Sequence, residues 1–131
     1  MRGRTTPPGV FRCLFLLALA DTATRVLGLR RTLALVRRVR LREHTDNAGL
    51  IAATAHRVAV AAAFYPRRAL CLEQSIALYI LLRRRGARAE LKLGVQPRPF
   101  YAHAWVELDD RPINEPADLP LNMATFPLVG V

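Results

Sequence analysis

Apolar residues recur at helical spacing along the first eighty or so positions, and near residue 89 the period shortens from 3.6 to 2. Residues 10–42 read as one or two helices. Gly28 interrupts them, separating Val10–Leu27 from Leu29–Leu41. In the second piece Leu29, Leu33, Val36 and Arg40 fall on one stripe. Glu43–Gly49 is a polar connector with turn chemistry at Asp46-Asn47-Ala48-Gly49. Leu50–Tyr65 is Ala-rich and helical, and Pro66 closes it. The clearest helix covers residues 71–85, where Leu72, Ile76, Tyr79 and Ile80 recur, as do Leu78, Leu81 and Leu82. Three Arg fill its last turn, which suits the helix dipole, and Gly86 follows as a cap. Ala89–Val95 and Ala102–Leu108 then alternate as strands around the loop Gln96–Pro99. Asp109-Asp110 turns the chain into a short third strand at Arg111–Asn114, and the Pro-rich tail from Pro116 reads as irregular. Helices first and an antiparallel sheet after make an α+β fold. The 131 residues form one domain, with a motif-poor helical part over 1–50 and the chemistry in 51–131.

Composition supports a packed domain: 52% of residues are hydrophobic and 23% charged. The net charge of +10 comes almost wholly from Arg, with Lys92 the single Lys. The Arg residues occur in scattered twos and threes without interleaved aromatics, which argues against a nucleic-acid tract. They either solvate helix faces or offer a surface to an anionic partner. Two cysteines, Cys13 and Cys71, are too few for a disulfide framework and fit a reducing cytoplasm. The run Cys13–Ala20 imitates a secretory signal ending in Ala-x-Ala, but helical rhythm continues through Val26, Leu33 and Val36. It is also too short to span a bilayer.

Cys71 opens a helix, where free N–H groups and the positive dipole end favour a thiolate and could serve an oxyanion. His103 follows in a strand and could act as its base. Glu115, or more weakly Asn114, comes after the hairpin that His103 enters and could orient the imidazole. Trp105 shares the face of His103 and either walls a cleft or fills the core; Glu107 is the next residue on that face. Gln74, one turn past Cys71, reads as an exposed polar residue and Cys13 as a buried one. Neither His44 nor His56 has an acid or Cys placed to complete a metal set, so neither metal nor cofactor is expected.

The segment from Cys71-Leu72-Glu73-Gln74-Ser75 through Arg85-Gly86 resembles the Cys motif of the lasso peptide biosynthesis B2 proteins. These are transglutaminase-like, papain-related leader peptidases. Gly94-Val95 and Pro99–Glu107 resemble their His motif, and Arg111–Glu115 resembles the segment that ends in their acidic triad member. The resemblance covers roughly residues 58–116. It implies that Cys71 attacks a peptide carbonyl of a ribosomally made precursor, with His103 as base and then acid. It also implies three partners: the precursor leader, a small separate leader-recognition protein and an ATP-dependent cyclase. Glu115 stands where the family has Asp, so the third role is the one the sequence changes.

Two rival readings keep the same residues. In a transglutaminase-like acyl transferase an amine would replace water. In a basic peptide-binding scaffold Cys71 would be dispensable, and binding would weaken steeply with salt.

Overall fold

A computed structural model describes residues 9–38, 48–65, 71–84, 87–97, 100–108, 111–113 and 124–129. The expected connector from Glu43 to Asn47, Pro66, Gly86, the Asp109-Asp110 turn and Asn114-Glu115 lie outside them.

Helix α1 spans Val10–Val26 and α2 spans Leu29–Val36. Gly28 joins them at φ 86°, a left-handed conformation that glycine adopts without steric cost. Thr32 locks the junction, its hydroxyl donating to the Gly28 carbonyl at 2.8 Å. The apolar run passes unbroken through Ala18–Ala20, and Cys13, Leu17 and Ala20 are buried in the core. Helix α2 differs from the stripe drawn on the sequence. Its buried residues are Thr32, Leu33 and Val36, whereas Leu29 is exposed. The helix starts at Leu29, so this side chain sits on the first turn, beside the junction with α1 and off the buried stripe.

Helix α3, Ala48–Phe64, takes in Ala48 and Gly49, which the sequence pattern assigned to the turn. It buries Ile51, Thr54, Val58 and Ala61, at alternating spacings of three and four. Its end is tied to α1, because the Tyr65 hydroxyl donates to Asp21 Oδ2 at 3.0 Å.

Helix α4, Cys71–Arg84, is the centre of the molecule. Ile76, Ala77, Leu78, Tyr79, Leu81 and Leu82 are each 2% exposed or less. Burial on nearly every face explains why its apolar residues form two overlapping helical sets rather than one. Burial also pushes the Tyr79 phenol above its ordinary range, with Arg83 opposing the shift from 5.4 Å over the ring. Arg83 Nε donates to the Ala89 carbonyl at 3.1 Å, fastening the helix end to the start of the sheet.

Strands β1 (Glu90–Pro97), β2 (Phe100–Leu108), β3 (Arg111–Pro112) and β4 (Ala124–Val129) form an antiparallel sheet in the order β3-β2-β1-β4. The α+β architecture read from the sequence is therefore the observed one. Strand β4 corrects the expected irregular tail, because residues 124–129 pair with β1. Its Pro127 is tolerated on an edge strand, where a missing N–H need not break a central ladder.

The helical half is not apolar on its core side alone. Phe11, Phe15, Leu19 and Val26 of α1 are all more than half exposed. Between α1, α2 and α4 lies a groove of about 410 Å³ lined by Leu16, Ala23, Val26, Leu35 and Ile80 among others. Among the described residues no helix is long and apolar enough to cross a membrane. The two faces of α1 give a simple test. Leu17→Ala should cost about 2–5 kcal/mol of unfolding free energy, as core truncations do. Leu19→Ala should stay within about 0.5 kcal/mol in the same urea titration.

Candidate active site

The site is built where α4 meets β2. Cys71 is the first residue of α4, so its backbone lies in the turn whose N–H groups have no intrahelical acceptor. One turn further, Ser75 is fully buried and donates from Oγ to the Ala104 carbonyl at 3.1 Å. Ala104 is the residue after His103. The tie spans 29 residues of chain and joins the helix opened by Cys71 to the strand bearing His103. It lies outside the stretch of β2 that β3 covers, at Glu107 and Leu108.

Strand alternation sorts β2 into two faces. Val106 belongs to the core cluster, and Leu108 packs against it. The other face carries His103, Trp105 and Glu107. His103 is half-buried and sits opposite Gly94 of β1, which has no side chain to crowd the imidazole from across the strand pair. Trp105 is 0% exposed, its ring 6.2 Å from that of His103 and inclined by 25°. The indole Nε1 donates to Glu107 Oε2 at 2.8 Å, and Glu107 is itself buried. Across on β1, Glu90 stands opposite Glu107 and Lys92 opposite Trp105, with Glu90 and Lys92 in a 3.5 Å ion pair. Trp105 is thus part of the core: it is wholly enclosed and lies beside His103.

The remaining candidates fall as follows. Gln74 is half-buried rather than exposed. Cys13 is enclosed in the helical core and His56 is exposed on α3. Asn114, Glu115 and His44 lie outside the described residues. Among the described residues no three His, Cys, Asp or Glu side chains converge as a metal set would.

Three residues escaped the sequence reading. Ser75 could have been noticed as a hydroxyl in an otherwise apolar stretch one turn past Cys71. Glu107 was placed on the right face, but no local signal marks its bond to Trp105. Glu73, in the first turn of α4, is buried with an Oε2 that has no hydrogen-bond partner among the described residues.

The family model described as the Transglutaminase-like superfamily matches residues 14–126. The chain belongs to the transglutaminase-like superfamily. The match takes in α1 from Leu14, all of α4, the His103 strand and the first half of β4. The superfamily core is therefore wider than the 58–116 span carried by the motifs, and it draws in the helical half that showed none. A curated relative, the microcin J25-processing protein McjB of Escherichia coli, is 44% identical over 45 residues. That stretch is 34% of this chain, and it spans 22% of the relative's length. The resemblance read from the Cys and His motifs is in keeping with both findings. No solved structure matches the chain.

Within a transglutaminase-like core the Ser75–Ala104 bond has a clear task, which is to fix helix against strand. Ser75→Ala should cost about 1–3 kcal/mol in thermal or urea unfolding, the usual loss when a buried carbonyl loses its donor.

Proposed function

We propose that the protein is a cysteine peptidase that removes the leader from a ribosomally made lasso peptide precursor. The observation that carries this reading is the buried Ser75–Ala104 tie, which joins the helix opened by Cys71 to the strand of His103. The superfamily membership and the kinship with a microcin-processing protein support the same reading.

In the proposed reaction His103 takes the Cys71 proton, and the thiolate attacks the scissile carbonyl. The position of Cys71 at the start of α4 favours that thiolate, and nearby N–H groups can stabilise the oxyanion. The tetrahedral intermediate collapses as the imidazolium gives its proton to the leaving amine. The core peptide departs with a free amino terminus, leaving the leader as a thioester on Cys71. His103 then deprotonates a water that hydrolyses the thioester, yielding the leader carboxylate and free thiol. Glu115, or Asn114, would orient the imidazole. The reaction belongs in a reducing cytoplasm, where Cys71 stays a thiol.

The precursor leader, a separate recognition protein and an ATP-dependent cyclase complete the proposed setting. Arg25 at the end of α1 and Arg30, Arg31 and Arg37 along α2 are exposed, and a leader or recognition protein with acidic residues would be steered to them. Raising salt to about 0.5 M should then slow cleavage in the full mixture, since exposed charges are screened within a few ångströms at that strength. An unchanged rate would remove steering from the account.

The test of the function is mass spectrometry of a lasso precursor after incubation with the protein and the precursor's recognition protein. One cut between leader and core, lost in Cys71→Ala and in His103→Ala, is the expected result. An intact precursor with the wild-type protein, in a mixture where the recognition protein is bound, would reject the reading.

A further inference from the structure

The buried carboxylate of Glu107 is used on an uncharged partner. It accepts one bond from the Trp105 indole at 2.8 Å, and both side chains are more than nine-tenths buried. Burying a carboxylate is costly unless its interactions repay the loss of water, and closing an indole N–H needs nothing more than a neutral acceptor. What distinguishes this carboxylate is the next ring along the same face. The Trp105 ring lies 6.2 Å from His103, with the planes 25° apart. Fixing the indole therefore fixes the ring beside which His103 lies.

We propose that Glu107 is a positioning residue for His103, acting through Trp105: its carboxylate pins the indole, and the pinned indole holds the imidazole in place. The inference rests on the reading of His103 as the base of Cys71. Glu107 would therefore steady the base without touching substrate or thiol.

The neighbouring charges leave Glu107 this role. On β1 the Glu90 carboxylate opposite Glu107 is ion-paired with Lys92 at 3.5 Å, and Lys92 lies opposite Trp105. On β3 the nearest charged group is Arg111, exposed and paired with Leu108 rather than Glu107. Strand β4, beyond β1, carries no titratable side chain. On α4 the first turn contributes Cys71 and Glu73.

The experiment is the pH dependence of iodoacetamide alkylation at Cys71, mapped by peptide mass spectrometry so that the buried Cys13 is scored separately. Proton NMR of the His103 ring is recorded beside it. Glu107→Leu should lower the Cys71 rate at pH 6 roughly tenfold, as a misplaced base would. It should also weaken the ring-current shift of His103. Glu107→Gln keeps an acceptor for the indole and should restore the ring-current shift while recovering part of the rate. In a Trp105→Phe background, which has no N–H to bind, Glu107→Leu should add little. This background and the Gln variant keep the test decisive if Glu107→Leu alone folds poorly. A purely structural Glu107 would lower the melting temperature and leave both readouts in place; that result overturns the proposal. The reading of His103 fails separately, if His103→Ala leaves the Cys71 profile unchanged.

Discussion

Cys71→Ala is expected to lower the rate of precursor cleavage by about four orders of magnitude or more, to the limit of detection in most assays. The size follows from what the nucleophile does. Without a thiolate no thioester forms, and what remains is binding and any oxyanion stabilisation, which in comparable triads leaves a small residue over water. His103→Ala should fall almost as far, because a thiol without its base is largely protonated near neutral pH. The double variant should be no slower than the worse single one, since the two groups act as a unit. Single-turnover cleavage followed by mass spectrometry measures all three. Circular dichroism should show the variants folded: Cys71 is one residue at a helix start, and His103 is half-buried rather than part of the core cluster.

Trp105→Ala is expected to lose about 3–5 kcal/mol of stability, the range for a fully enclosed large aromatic. The ring's removal leaves a cavity, strips Glu107 of its donor and exposes the side of His103. Against a total stability of roughly 5–15 kcal/mol this is a large fraction. The melting temperature should drop by roughly 10–20 °C. Trp105→Phe keeps most of the apolar area and should lose less than half as much. A melt within a few degrees of wild type for Trp105→Ala would mean that the ring is less enclosed than described.

The parts of the fold set by local pattern were legible. The 3.6-residue period over 71–85 and the alternation through Ala102–Leu108 gave α4 and β2 within a residue or two. With them came Cys71 at a helix start and His103 on a strand. Gly28 marked the α1–α2 break because a positive φ is a local demand. What depended on distant pairing was not legible. Ala124–Val129 contains Pro127 and lacks clean alternation, so its place as an edge strand beside β1 could come from the assembled sheet alone. The stripe of α2 was drawn through Leu29, whose first-turn position leaves it exposed. The bond from Ser75 to Ala104 links residues 29 apart, and no spacing rule announces it. The wider reach of the superfamily, from residue 14, likewise rests on a helical half whose role is packing and which carries no chemical motif.

The most direct test of the central claim is precursor cleavage in water labelled with heavy oxygen, with the released leader weighed by mass spectrometry. A leader carrying one heavy oxygen at its new carboxyl terminus, formed by wild type and absent with Cys71→Ala, is the predicted result. It would mean that water resolves a thioester formed on Cys71. A leader joined to an amine, or one released equally by the Cys71→Ala variant, would contradict the account.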